Sequence, residues 1–138
     1  MKNAILFLFL FFSLVVNSQT VEGTWKTYED GVLKSEIKLY KKNNKIYGKV
    51  VAINNPDDGD YDPICNTCSG NHKNKPLKGM VIIKGLEKDG SEWYADNGVY
   101  HPDNDEYYDV RMWLDSNNKL AVRGYLGWFF QTRYWVRK

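Results

Sequence analysis

The sequence has few of the residues that form most catalytic and metal sites, with two cysteines and two histidines among 138 residues. His72 and His101 lie in different predicted loops, and neither has an obvious serine or thiol partner. The chain also lacks a Gly-x-Ser-x-Gly nucleophile motif and a phosphate-cradling glycine loop, and no spacing singles out a pair of carboxylates. We therefore expect a binding protein rather than an enzyme, with no catalytic residues, no cofactor and no bound metal.

A strong charge of one sign is also absent, because 19 basic residues face 17 acidic ones and the formal net charge is +2. A general nucleic-acid binder carries a basic excess on one face, so we expect no nucleic-acid partner. The basic cluster of Lys41, Lys42 and Lys45 is interpreted as a solvated loop.

Long hydrophobic runs are confined to the N-terminus. A basic Lys2 precedes an apolar run at 4–16, and Val16-Asn17-Ser18 supplies small residues at the two positions that a signal peptidase reads. The run is shorter than the ~20 apolar residues of a transmembrane helix, although an uncleaved anchor is the alternative. We predict a signal peptide at 1–18, cleavage before Gln19, one domain at 19–138, and membrane contact only during export.

Helical periodicity is missing after the leader. Apolar and polar residues alternate with period two in short segments separated by turn residues, which indicates half-buried strands. Ten tyrosines and five tryptophans suit such strands. Eight strands are predicted, at 21–28, 33–40, 45–53, 79–87, 92–100, 106–114, 119–126 and 129–137. Short connections favour an all-β, eight-stranded antiparallel up-and-down β-barrel, with one long loop at 54–78.

Several segments resemble a known family across the whole predicted domain. They are VEGTW (21–25), IYGKV (46–50), KPLKGM (75–80), GVYHPD (98–103), YDV (108–110), LAVRGYLG (120–127) and WVR (135–137). The chain resembles the DUF2147 family of small exported bacterial proteins. The resemblance implies a lipocalin-like (calycin) barrel and a periplasmic or extracellular location, but little about activity. It also implies structural roles for Gly23, Trp25 and Arg137, with Arg133 or Arg137 covering Trp25.

The Cys65-x-x-Cys68 pair departs from many members of that family. In an exported protein the pair predicts a disulfide. A thioredoxin-like redox pair is a second interpretation, although it should lie at a helix N-terminus. A zinc site that adds His72 and His101 is the third.

The last three predicted strands carry two alternating sets of side chains. One set is apolar: Tyr108, Val110, Met112, Leu114, Leu120, Val122, Gly124, Leu126, Phe130, Thr132, Tyr134 and Val136. The other carries the candidate ligand-binding residues Arg111, Trp113, Arg123, Tyr125, Arg133 and Trp135. Strict alternation predicts that each set shares one face. Either the apolar set forms the core, or the arginine and aromatic set lines a lumen.

These observations lead to three functional hypotheses. The first is non-enzymatic binding of a small, lipid-like or partly apolar ligand, with an anionic group suited to arginines among aromatic walls. The second is a structural or interaction module of the cell envelope, in which exposed Trp113, Tyr125 and Trp135 contact a partner. The third is a redox or metal-binding protein built on Cys65 and Cys68.

Overall fold

The structure of the protein is a computed structural model that describes residues 19–55, 57 and 61–138. The predicted signal peptide lies outside the described residues. The strands are β1 (Gly23–Glu29), β2 (Val32–Lys42), β3 (Lys45–Ile53), β4 (Val81–Asp89), β5 (Glu92–His101), β6 (Glu106–Ser116), β7 (Lys119–Leu126) and β8 (Phe129–Arg137). All eight predicted strands are confirmed, with ends within two residues of the predicted bounds. In the described part of the chain, no helix is long and apolar enough to cross a membrane.

Consecutive strands pair antiparallel, and β8 pairs with β1 to close the barrel, which confirms the predicted fold class. The ladder between β7 and β8 is long and continuous. By contrast, β8 meets β1 at two pairs only, Trp25 with Arg137 and Lys26 with Val136. We call the end where β1 begins the floor and the opposite end the mouth. Strands β1 and β8 therefore pair near the floor, and this pairing closes the barrel wall.

The turn residues explain why the hairpins form where they do. Asn43 and Asn44 connect β2 to β3 with φ angles of 52° and 62°. Two left-handed residues in a two-residue connection match the right-handed twist of the flanking strands, and asparagine tolerates that conformation. The predicted hairpin at these two residues is therefore present.

The inside of the barrel at the floor is filled by large apolar side chains. The largest fully buried ones are Trp25, Ile37, Leu39, Ile46, Ile83, Leu86, Met112, Leu120 and Val110. Gly48 allows two strands to approach closely there, because a Cβ at this position would lie 2.7 Å from Leu39 Cδ2 and 2.9 Å from Ile83 Cβ.

The long connection after β3 packs against the outside of the barrel. Cys65 and Cys68 are joined by a disulfide, with their Cα atoms 5.5 Å apart, and pack on Met80 and Tyr100. Tyr100 lies on the opposite side of β5 from Val99, which packs against the main core. The predicted disulfide is confirmed, and the loop forms a small second core with the outer face of the sheet.

Asp105 fastens this loop to the barrel. One carboxylate oxygen accepts hydrogen bonds from the backbone N–H of Ser69 at 3.1 Å and from the hydroxyl of Tyr100 at 2.6 Å. The Tyr100 bond, followed by the bonds from Ser69, lowers the pKa of Asp105. Burial and the bond to Asp105 raise the pKa of Tyr100 to about 12.

The register corrects the predicted faces of the last three strands. Val110 lies opposite Gly124 and Met112 opposite Val122, so the apolar sets of β6 and β7 both face the core, as one of the two alternatives held. On β8, however, Trp135 lies opposite Leu120 and Arg133 opposite Val122. The prediction that the even-numbered residues of β8 share the core face is therefore wrong. The two-residue turn at Gly127 and Trp128 pairs residues 126 and 129, so even positions of β7 face odd positions of β8.

Candidate functional site

Arg137 and Trp25 close the floor of the barrel. The guanidinium carbon of Arg137 lies 4.2 Å from the ring centroid of Trp25. Arg137 also donates hydrogen bonds to the carbonyl oxygens of Thr20, Glu22 and Asn117. The Trp25 indole N–H donates to the carbonyl oxygen of Val21 at 2.8 Å. The segment before β1 is therefore held across the floor end of the barrel.

A crevice of about 410 Å³ lies beside this segment at the floor. Its walls come from the residues before β1, from the floor ends of β2, β4, β5 and β6, and from the turn between β4 and β5. We call it the floor crevice, and it is lined by Gln19, Thr20, Val21, Glu22, Lys41, Lys88, Ser91, Glu92, Trp93, Trp113 and Leu114. A second, smaller cavity of about 90 Å³ lies at the mouth beside Ser35 and Ile53.

Two ammonium groups share one aromatic ring in the floor crevice. Lys88 Nζ lies 5.0 Å and Lys41 Nζ 5.6 Å from the ring centroid of Trp93, which is within cation–π range. Glu22 neutralises Lys41 at 3.6 Å. Among the described residues, no carboxylate pairs with Lys88, so its positive charge remains available to a ligand.

Arg111 lies on the outer face and is fully engaged with carboxylates. Its guanidinium contacts Asp89 at 2.9 Å and Glu92 at 2.8 Å, and it stacks 4.8 Å from the ring centroid of Tyr94. The hydrogen bonds to Asp89 and then to Glu92 raise the pKa of Arg111 above its usual value. Arg111 therefore acts on the floor crevice indirectly, by fixing the Glu92 side chain in its wall.

Arg123 lies opposite Arg111 on the same outer face. Its Nε donates to the Thr132 hydroxyl at 2.8 Å, and its guanidinium lies 5.0 Å from the ring centroid of Trp113 and 4.4 Å from that of Phe130. The structure thus places Arg111, Trp113 and Arg123 together outside the barrel rather than in a lumen.

Tyr125 lies on the same face of β7 as Arg123, with its ring centroid 6.3 Å from that of Phe130, whereas the last two predicted ligand residues are separated from this group. Arg133 and Trp135 lie on the core face of β8, with Arg133 exposed near the mouth and Trp135 only 8% exposed. Tyr125 and Trp113 are half-buried. The expectation that Trp113, Tyr125 and Trp135 form an exposed contact surface is therefore wrong for Trp135, which belongs to the core.

The cysteine loop gives little support to the metal and redox hypotheses. Both sulfur atoms are engaged in the disulfide, so neither is available as a zinc ligand in this structure. The His72 ring stacks on that of Tyr100, with centroids 4.6 Å apart. Within the described residues, no group of three acidic, cysteine or histidine side chains could hold a metal ion.

Sequence reasoning missed Trp93, Lys41 and Lys88 as site residues. The only local signal is that Lys88 and Trp93 flank the turn between β4 and β5, where they are paired across the hairpin. Lys41 was interpreted as part of a solvated loop, but it lies on β2 opposite the buried Ile46 and reaches over Trp93. These three side chains come from two separate hairpins, and the convergence of the hairpins at the floor has no signature in the sequence of either one.

The closed eight-stranded antiparallel barrel, closed at its floor by Trp25 and Arg137, is a lipocalin-like fold. The chain belongs to the bacterial family described as "Uncharacterized protein conserved in bacteria (DUF2147)", whose model matches residues 23–137. The fold is similar to that of a solved structure described as "Protein HP1028 from the human pathogen Helicobacter pylori belongs to the lipocalin family". That likeness has a TM-score of 0.72 at 21% identity and covers 86% of this chain and 83% of the other, so it shows the fold. No curated protein matches the chain.

Proposed function

We propose that this protein is an exported, non-enzymatic binding protein that takes a small, partly apolar anion into the floor crevice. The observation that carries the proposal is the floor crevice itself, in which Lys88 lies beside the face of Trp93 and pairs with no carboxylate of the described residues. A volume of about 410 Å³ falls within the range of small-molecule sites. Val21, Trp93, Trp113 and Leu114 supply apolar walls.

The charges in the floor crevice favour an acid group on the ligand. Glu22 is opposed by Lys41 and Glu92 by Arg111, so the two wall carboxylates are already neutralised. Lys88 remains as a flexible cation at the edge of an aromatic surface. A carboxylate, sulfonate or phosphate on an aromatic or alkyl body would gain a charge-assisted hydrogen bond from Lys88 and stacking on Trp93.

Export is supported by the leader-like residues 1–18 and by the disulfide, since disulfides persist in oxidising compartments. The test is the intact mass of the protein recovered from the cell envelope, periplasm or medium. A chain that begins at Gln19 is expected. Recovery of the uncleaved chain would leave the binding proposal standing but refute processing and release.

Ligand binding is tested with anilinonaphthalene sulfonate, an aromatic anion, and with N-phenylnaphthylamine, its uncharged analogue. We expect the sulfonate to bind more tightly than the amine and to quench tryptophan fluorescence. The Lys88→Ala change should raise the Kd of the sulfonate roughly tenfold and leave that of the amine almost unchanged, because it removes one charge-assisted bond.

Lys84→Ala is the matched control, because Lys84 lies on the same strand, is exposed and does not line the floor crevice. This control should bind both probes like the wild type. Equal affinity of the wild type for the two probes, or equal loss in the two lysine variants, would refute the proposal.

A further inference from the structure

The turn between β7 and β8 exposes four large apolar side chains at the mouth. Leu126, Trp128, Phe129 and Phe130 are 64%, 83%, 61% and 60% exposed, respectively. We call these four residues the aromatic tip. Single exposed apolar residues are common, but a group of this size concentrated in one turn marks an interaction surface. The aromatic tip lies at the opposite end of the barrel from the floor crevice, so the proposed ligand site does not account for it.

The aromatic tip is held in a defined geometry. Leu126 and Phe129 form the last pair of the ladder, with Gly127 and Trp128 between them. Gly127 has a φ of 58°, and Trp128 has no positive φ, as expected for a two-residue turn with glycine first. The Trp128 and Phe129 rings stack with centroids 4.0 Å apart. The aromatic side chains are therefore presented on a short, ordered hairpin.

The aromatic tip also stands beyond the neighbouring strand. Lys26 pairs with Val136, so a one-for-one count along the two strands places Glu29, the last residue of β1, level with Arg133. Residues 129–132 therefore extend past the end of β1. Four residues of extended chain span about 13 Å. The aromatic tip can therefore contact a flat surface while the rim of the barrel near β1 stays clear of that surface.

Two positively charged residues lie on the barrel side of the aromatic tip, one on β7 and one on β8. No charged residue occurs from 124 to 132, and an arginine stands at each end of that stretch. Arg123 pairs with Thr132, and Arg133 occupies the next pair of the ladder on the opposite face. Arg133 has no ion-pair partner among the described residues. An apolar end backed by arginines complements the acyl region and phosphate layer of a bilayer surface.

From this arrangement we infer that the aromatic tip docks the barrel on a lipid bilayer. Trp128, Phe129 and Leu126 enter the acyl boundary, and Arg133 reaches the lipid phosphates. Glu29 and Asp30 at the adjacent turn offset the arginines in charge, so zwitterionic lipid suffices and an anionic lipid is not required.

The test measures tryptophan quenching and co-sedimentation with phosphatidylcholine vesicles whose acyl chains are brominated. Residues 1–18 contain no tryptophan, so quenching reports on the barrel alone. We expect the wild type to sediment with the vesicles and its fluorescence to fall. The double variant Leu126→Ser, Phe129→Ser keeps Trp128 as a reporter and should lower the partition coefficient roughly tenfold or more, because two apolar side chains no longer leave water.

Ile64→Ser is the matched control, because Ile64 is 53% exposed and lies outside the aromatic tip. It should bind and be quenched like the wild type. Absence of quenching in the wild type, or equal binding by the double variant, would overturn the inference. A vesicle-free dimer that the double variant converts to a monomer would also overturn it, since the occupant would then be a second copy of the chain.

Discussion

Arg137 and Trp25 are cross-strand partners, and the guanidinium of Arg137 lies 4.2 Å from the centre of the Trp25 ring. The same guanidinium binds carbonyl oxygens before β1 and in the turn between β6 and β7. Because β1 and β8 share only two pairs, this side chain holds together the weakest joint of the barrel.

Arg137→Ala should therefore destabilise the protein strongly. The change removes a cation–π contact and three hydrogen bonds that the charged guanidinium donates to carbonyl oxygens. We expect a loss of about 2–4 kcal/mol in the free energy of unfolding. Urea unfolding followed by tryptophan fluorescence measures this loss. Arg133 on the same strand has no such partners among the described residues, so Arg133→Ala should stay within about 0.5 kcal/mol of the wild type. Equal losses in the two variants would contradict the assigned role of Arg137.

Gly48→Ala should destabilise by overpacking. Its new Cβ would meet Leu39 and Ile83 at less than 3.0 Å, and such insertion into a packed core costs about 1–3 kcal/mol. Gly124→Ala is the comparison, because a Cβ there meets nothing within 4 Å. We expect it to be neutral or to stabilise by about 0.5 kcal/mol, since alanine reduces the freedom of the unfolded chain. Thermal unfolding of both variants checks the contrast.

The contact between Asp105 and the cysteine loop should respond to pH. The pKa of Asp105 is lowered in the folded protein, so its stabilising contribution is present above the ordinary value of 3.8 and declines as pH falls through the lowered value. The pKa of Tyr100 is raised to about 12, so its contribution is present below 10.0 and declines as pH rises towards 12.

Amide hydrogen exchange in the loop measures this response across the pH range, after correction for the intrinsic exchange rate. Protection of the Ser69 amide should be lowered at both extremes. Asp105→Asn should abolish the loss of Ser69 amide protection at low pH, because it takes away the titrating carboxylate. If this variant still loses protection at low pH, a group other than Asp105 causes the response.

Reduction of the Cys65–Cys68 disulfide should loosen the loop without unfolding the barrel. The bridge closes a very short loop, for which the chain-entropy relation gives about 2 kcal/mol. Met80 and Tyr100 belong to the second core rather than the main one, so we expect the loss to be local. Limited proteolysis within 61–79, with and without reductant, should show cutting only after reduction. Loss of the barrel's near-ultraviolet circular dichroism on reduction would contradict this prediction.

The elements that are determined by residues close together in the sequence were predictable. Period-two alternation and Asn43-Asn44 fixed β2, β3 and their hairpin, because strand propensity and turn conformation act over a few residues. Eight strands with short connections predicted the barrel, the family resemblance predicted its lipocalin-like form, and the predicted export of the chain suggested the disulfide. The face of Trp135 follows from the two-residue turn at Gly127 and Trp128, which pairs Leu126 with Phe129. Grouping the β8 residues by even number overlooked this hairpin register.

Sequence alone determined the strands, their order and the short turns that make a closed antiparallel sheet. The tertiary structure decided what the side chains do once the sheet is closed. Barrel closure brings Lys41, Lys88 and Trp93 together from two separate hairpins and leaves Trp128 and Phe129 beyond the rim. The reason is physical: alternation sets two faces for each strand locally, whereas register and closure decide which faces meet, and those arise from pairings between distant parts of the chain.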